Sequence, residues 1–242
     1  SIIVSTAAVV LKPAQIANKA KDSKINILRA GGLYDQGIVD GKSINEMFEN
    51  VTTKIVDLNT GKYSDAVNPE TYDQRRASKD PKLSKDLAAD VDIAKINRRE
   101  QFSEVYIVNE ADQIKKIILP IKGYGLWSTL YGFISLESDL NTVSGITFYE
   151  HAETPGLGGE IDNPSWKAQW KGKKVYLGAV GADVGLTVLK GKVNGNTPDA
   201  EYKVDGLSGA TLTGRGVDNL VKFWMGDMGY SKYLDNLKSG EA

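Results

Sequence analysis

No cysteine occurs among the 242 residues, and histidine occurs once, at His151. Without thiols the chain has no disulfide, no thiolate zinc site, no iron–sulfur cluster of its own and no cysteine nucleophile. A single imidazole excludes multi-histidine metal centres, so no metal site is expected, and any histidine-dependent triad must run through His151. An excess of one charge is also lacking. The 30 basic side chains stand against 31 acidic ones, which gives no electrostatic reason for a nucleic-acid partner. What remains, 41% hydrophobic and 25% charged, is the composition of an ordinary globular protein with one large domain or two small ones.

The chain opens on Ser1 to Leu11, uncharged and almost wholly apolar. A bilayer span needs about 20 such residues, so this stretch cannot cross alone. Two readings stay open: a leader remnant or a buried strand, the strand placing Ile2, Ile3, Val4 and Val9 in the sheet, and the far end of an anchor helix that begins upstream. Lys12 to Leu28 has helical spacing and is stopped by Gly31-Gly32. Ser43-Ile-Asn-Glu46 has the capping-box pattern. Residues 71–101 carry dense charge of both signs and predict a solvated excursion or surface helix. Phe102 to Val108, Ile114 to Ile121, Leu130 to Leu136 and Val143 to His151 predict strands, with connections too short for crossover helices and hence antiparallel. Val175 to Val180 and Leu186 to Leu189 predict a third pair, a hairpin around Gly178 to Gly185. Asn163-Pro164 opens a short helix. The fold class is α+β, an antiparallel sheet with flanking helices, and not a doubly wound sheet.

Three passages carry candidate chemistry. Gly123-Tyr-Gly-Leu-Trp127-Ser128 sits between strands and leaves Trp127 either exposed to a ligand or in the core. Glu150-His151-Ala-Glu153-Thr154-Pro-Gly-Leu157-Gly158-Gly159 follows a strand directly; its glycines suit close approach of backbone to a ligand. A His151–Glu153 dyad is conceivable there, but no Gly-x-Ser-x-Gly elbow accompanies it. Ser208-Gly209-Ala210-Thr211-Leu212-Thr213-Gly214 precedes an amphipathic pattern of Val217, Leu220, Val221, Trp224 and Met225. Hydroxyls and free amides at such a helix start form an anion site, against which stands the plain alternative that Ser208 or Thr211 caps the helix. On this reading Thr213 is reachable from solvent.

Ser208-Gly-Ala-Thr-Leu-Thr213 resembles the Ser-Gly-Ala-Thr-x-Thr flavinylation motif of the FMN-binding domain family, and Glu153-Thr-Pro-Gly-Leu-Gly158 is similar to its second signature. Gly214 departs from the Ser or Asn common in relatives, and the threonine itself is kept. The whole chain resembles the sodium-pumping, quinone-reducing branch of that family. The resemblance implies FMN as cofactor, joined to Thr213 by a phosphoester. It implies FMN contacts from Ser208, Gly209, Ala210, Thr211, Leu212, Trp127, Glu153, Thr154, Leu157 and Gly158.

The flavin would carry the electrons, so no side-chain acid or nucleophile is needed for redox work. The implied protein is an electron-transfer subunit of an NADH:ubiquinone oxidoreductase, with the other subunits of the membrane complex and a flavin transferase as partners. Residues 1–30 would be the end of a single-pass inner-membrane anchor, in contact with lipid, and a connecting helix. Residues 31–242 would be the FMN-binding domain, with 40–101 a possible subdomain, on the periplasmic side. Lys12, Lys19, Lys21 and Lys24 argue mildly the other way under the positive-inside rule. Two alternatives are the corresponding subunit of the related Rnf electron-transport complex and a non-redox extracytoplasmic binding module.

Overall fold

The computed structural model describes residues 2–242, with side chains at residue 15 and from residue 17 onward. Helix α1 (Ile2–Ala30) leads into two short helices, α2 (Tyr34–Val39) and α3 (Ile44–Phe48). Strands β1 (Val51–Asp57) and β2 (Lys62–Tyr63) precede α4 (Gln74–Ala77) and the short pair β3 (Ser84–Asp86) and β4 (Arg98–Glu100). Four long strands follow: β5 (Phe102–Glu110), β6 (Gln113–Tyr124), β7 (Thr129–Glu137) and β8 (Val143–Glu150). Then come α5 (Pro164–Ala168), β9 (Thr187–Val188), β10 (Lys203–Val204), α6 (Thr211–Met225) and α7 (Ser231–Ser239).

The main sheet has the order β2-β1-β5-β6-β7-β8, and every neighbouring pair is antiparallel. Its two faces sort side chains by the period of two that a pleated strand imposes. On β6, Ile117, Leu119 and Ile121 join Leu220, Val221 and Trp224 of α6 in the larger core. Ile118 points to the opposite face and packs with Ile27, Leu28 and Ala30 of α1, Met47 of α3 and Phe133 of β7. Burial on both faces explains why β6 reads as a continuous apolar run and not as an alternation.

Local chemistry sets the element ends. The amides of Gly31 and Gly32 close α1 onto Ile27 and Arg29, and Gly32 takes φ +69°. Ser43 and Glu46 form the reciprocal capping box of α3. Asn163 caps α5, with Pro164 at its first position. The C-terminal helices lock onto β6 through polar ends of aromatic side chains: Trp224 Nε1 donates to the Lys122 carbonyl at 2.7 Å, and Tyr230 Oη to that of Pro120 at 2.7 Å.

Three expectations change. Residues 175–189 do not make a strand pair. Tyr176 and Val184 meet in one isolated antiparallel bridge, and β9 pairs in parallel with β10. The charge-rich segment 71–101 is not simply solvated, because Arg99 and Glu100 are buried in it. Glu100 accepts from Lys122 Nζ at 2.7 Å and from Gln74 Nε2 at 2.8 Å, so its charge is matched inside the protein. The backbone from Ile2 is helical, not a strand; the burial of Ile2, Ile3, Val4 and Val9 lies outside the described side chains. Among the described residues no helix is long and apolar enough to cross a membrane.

Candidate functional site

Helix α6 begins at Thr211, and its N-cap is Ala210, which offers no side-chain cap. Neither Ser208 nor Thr211 therefore acts as the cap of this helix. Gly209 takes φ +71°, a left-handed turn that favours glycine and that bends the chain into the helix. In consequence Ser208, Gly209, Thr211 and Leu212 are exposed, while Ala210 and Thr213 turn inward. Thr213 is fully buried, contrary to the expectation of a solvent-reachable hydroxyl. The helical rotation of about 100° per residue separates Thr213 from its exposed neighbours Thr211 and Leu212.

The Thr213 hydroxyl donates to Glu153 Oε2 at 2.5 Å. Glu153, also buried, lies just beyond the end of β8 and is itself clamped. Its Oε1 accepts from the amides of Trp127 at 3.0 Å, Leu126 at 3.1 Å and Ser128 at 3.4 Å. Burial pushes this carboxyl up, but the Thr213 hydroxyl and the three amides together outweigh it and hold it below the usual range. The group is a carboxylate at neutral pH.

The glycines on either side are needed for room. A Cβ at Gly158 would lie 2.5 Å from Thr213 Oγ1 and 2.8 Å from Glu153 Oε2, and one at Gly125 would lie 2.6 Å from Glu153 Oε1. Around this buried pair the surface is apolar: Trp127 is 64% exposed, Leu212 53% and Leu157 44%. Leu157 reaches across to Gly209, so the two motifs form one surface. Thr154 stands exposed beside them, and its carbonyl accepts the amides of Leu157 and Gly159.

The conceivable His151–Glu153 dyad does not form between side chains. His151 Nδ1 accepts the backbone amide of Glu153 at 3.1 Å, which leaves the ring proton on Nε2, 2.8 Å from Asp162 Oδ2. The imidazole thus orients the backbone of Glu153. A cavity of about 420 Å³ lies elsewhere, between α1 and the sheet. There Arg75 pairs with Glu150 at 2.6 and 2.8 Å and stacks 3.7 Å above the Tyr131 ring. None of the residues of the two motifs lines it.

Sequence reasoning placed Glu153, Leu157, Gly158, Trp127 and residues 208–213 in one site, and the fold brings all of them together. It missed the bond between Glu153 and Thr213 and the amides of Leu126 to Ser128 that hold the carboxylate. No sequence signal announces that bond, because the glycines at 125 and 158 meet around Glu153 only in the fold.

Comparison with known proteins identifies the domain that holds this arrangement. Residues 125–226, which contain the whole arrangement, match the FMN-binding domain family. The class that this match defines is an FMN-binding domain. The chain is 50% identical to the C subunit of the Na⁺-translocating NADH-quinone reductase of Pseudomonas aeruginosa, covering 100% of this chain and 92% of the relative. It is 47% identical to the same subunit of Vibrio vulnificus, over 99% and 91%. Among solved structures, that of Shewanella oneidensis NqrC superposes with a TM-score of 0.79 at 31% identity, over 92% of this chain and 99% of that one. The structure of the C subunit from Parabacteroides distasonis superposes at 0.67 and 28% identity, over 93% and 96%. The chain belongs to the NqrC family, the C subunits of Na⁺-translocating NADH-quinone reductases, a complex of the oxidoreductase class.

Proposed function

We propose that this chain is the FMN-bearing C subunit of a sodium-translocating NADH:quinone reductase, that Thr213 carries FMN through a phosphoester, and that electrons pass by way of this flavin toward quinone. The observation that carries the reading is the buried Thr213 hydroxyl at the start of α6, bonded to Glu153 beneath an exposed rim of Trp127, Leu157 and Leu212. When bound, FMN supplies reversible electron transfer.

The chain's own residues do the holding. The free amides of the first turn of α6 and its dipole favour a phosphate, and the Ser208 and Thr211 hydroxyls are further donors. Gly209 and Ala210 keep the backbone open beside it. Trp127, Leu157 and Leu212 offer apolar surface against which a flat ring system is shielded from water. Thr154 borders the same surface, and Gly158 lies buried beneath it. A threonine hydroxyl is a weak nucleophile, so attachment calls for a separate flavin transferase.

Residues 1–30 serve as the end of an inner-membrane anchor in contact with lipid and as a connecting helix; the end of α1 at Ala30 supports that division. Residues 31–242 form the flavin domain on the periplasmic side, against the other subunits of the complex. Intact mass under denaturing conditions tests the reading. Protein matured with the transferase should gain the mass of one FMN less one water, and Thr213→Ala should gain none while Thr211→Ala still does. An unmodified wild type, or a modified Thr213→Ala, overturns it.

A further inference from the structure

Thr213 needs help that a helix start cannot give. Its hydroxyl holds its proton tightly, and the positive end of the α6 dipole stabilises an anion without removing that proton from the oxygen. The acceptor at 2.5 Å is the one group in contact with the proton that has to leave. Three further features single this carboxylate out. It is 5% exposed, so its charge is retained inside the protein only because of its fixed donors. Its Oε1 is held by the amides of Leu126, Trp127 and Ser128 on the β6–β7 turn, while Oε2, which shares the Leu126 amide at 3.2 Å, makes its short contact of 2.5 Å with Thr213. Gly158 leaves room for Thr213 Oγ1 and Glu153 Oε2 to meet, and Gly125 leaves room for Glu153 Oε1.

We propose that Glu153 is the catalytic base of flavin attachment: it orients the Thr213 hydroxyl and takes its proton as the ester forms. The inference rests on the reading of Thr213 as the attachment residue and adds the group that makes this threonine reactive. The flavin donor that balances the step is a dinucleotide, in which the flavin phosphate is already in an anhydride. Thr213 is fully buried, so the 154–159 segment that covers it moves aside for the donor; Thr213 Oγ1 then forms the bond to that phosphorus, and the anhydride P–O bond breaks. A nucleoside monophosphate leaves with the bonding pair, and the Thr213 proton passes to Glu153 Oε2 and from there to solvent. No oxidation or reduction occurs.

A carboxylate below the usual range is a modest base toward a resting alcohol. The requirement eases as the O–P bond forms, because the bridging oxygen then becomes strongly acidic. The same geometry explains why Thr211, two residues earlier, is not equivalent: its side chain lies on the exposed side of the helix, away from Glu153.

The test is a time course of covalent labelling, with purified unmodified protein, flavin transferase and flavin adenine dinucleotide, read by intact mass and by fluorescence of the denatured band. Glu153→Gln keeps the shape but presents an amide nitrogen or a neutral oxygen to Thr213, and should label at least about 100-fold more slowly than wild type. Glu153→Asp restores a carboxylate one methylene further away and should recover labelling to within about tenfold of wild type. Melting temperatures near wild type for both variants keep folding out of the comparison. If the glutamine variant melts far below wild type, the aspartate variant decides: labelling well above the glutamine rate supports the base. Labelling of Glu153→Gln at the wild-type rate overturns the proposal, as does an aspartate variant that is folded and as slow as glutamine. An unlabelled wild type, or label retained in Thr213→Ala, would instead overturn the assignment of Thr213.

Discussion

Gly158→Ala puts the packing around Thr213 under the most direct strain. Gly158 does not occupy the left-handed region, so alanine suits its backbone and only space is at issue. The new Cβ would stand 2.5 Å from Thr213 Oγ1, about 0.9 Å inside the 3.4 Å at which ordinary contact begins. It would also meet Glu153 Oε2 at 2.8 Å and Glu153 Cβ at 3.1 Å. None of these atoms is the free end of a flexible chain, since Thr213 and Glu153 are buried and bonded to one another. Either the 154–159 segment moves outward or the 2.5 Å bond opens. Overpacking of this kind costs about 1–3 kcal/mol, and opening a hydrogen bond to a charged group costs about 1.5–3 kcal/mol. The expected loss is about 2–3 kcal/mol by urea unfolding followed by circular dichroism, with covalent labelling slowed in parallel. The double variant Gly158→Ala/Thr213→Ala removes the nearest obstacle, so its loss should be smaller than the sum of the single losses. A Gly158→Ala protein within 0.5 kcal/mol of wild type that labels normally would refute the reasoning, because it would show that the segment yields freely.

Other outcomes follow from charges and contacts elsewhere. Lys122→Met leaves the fully buried Glu100 without its cation and should cost about 3–5 kcal/mol in urea unfolding, whereas Lys122→Met/Glu100→Met should recover most of that loss. Burial pushes the Glu104 carboxyl up to about 7, with the Tyr106 hydroxyl opposing and Asp73 adding to the rise. The folded form therefore holds a proton that the unfolded chain has released, and this contribution to stability falls as pH rises from about 4.5 to about 7. Glu104→Gln should thus gain in melting temperature over wild type at pH 8 and gain less at pH 5; an equal gap at both pH values would refute the shift. His151→Gln loses an acceptor for the Glu153 amide, so a stability loss of about 1 kcal/mol with covalent flavin retained is expected. Loss of the flavin increment in its intact mass would assign the histidine a larger role.

Much of the fold was legible because its signals are local. Strands β5 to β8, the capping box at Ser43, the Asn163-Pro164 start and the amphipathic run of α6 each depend on spacing within a dozen residues. The candidate site was legible through its two motifs. The bond joining them was not, because Glu153 and Thr213 are 60 residues apart and only the fold brings their oxygens to 2.5 Å. The burial of Thr213 is not a local property either: a helix start is exposed on its own, and this one is covered by the 154–159 segment. In the 71–101 segment, Glu100 looks like any other surface charge until Lys122 arrives from β6. The β9–β10 pair, two residues per strand and parallel, is too short for any periodicity to announce.

The uneven placement of the four tryptophans has a photophysical consequence. Trp166, Trp170 and Trp224 are at most 6% exposed, and the first and third of them donate their indole protons to backbone carbonyls. Trp127 stands 64% exposed at the edge of the candidate site. Three indoles in dry surroundings emit toward the blue and are shielded from iodide or acrylamide, while the fourth emits toward the red and is open to collisional quenchers. Intrinsic emission thus separates into two channels without any label. The shielded channel follows unfolding of the whole domain, and the quenchable one follows the surroundings of Trp127 alone.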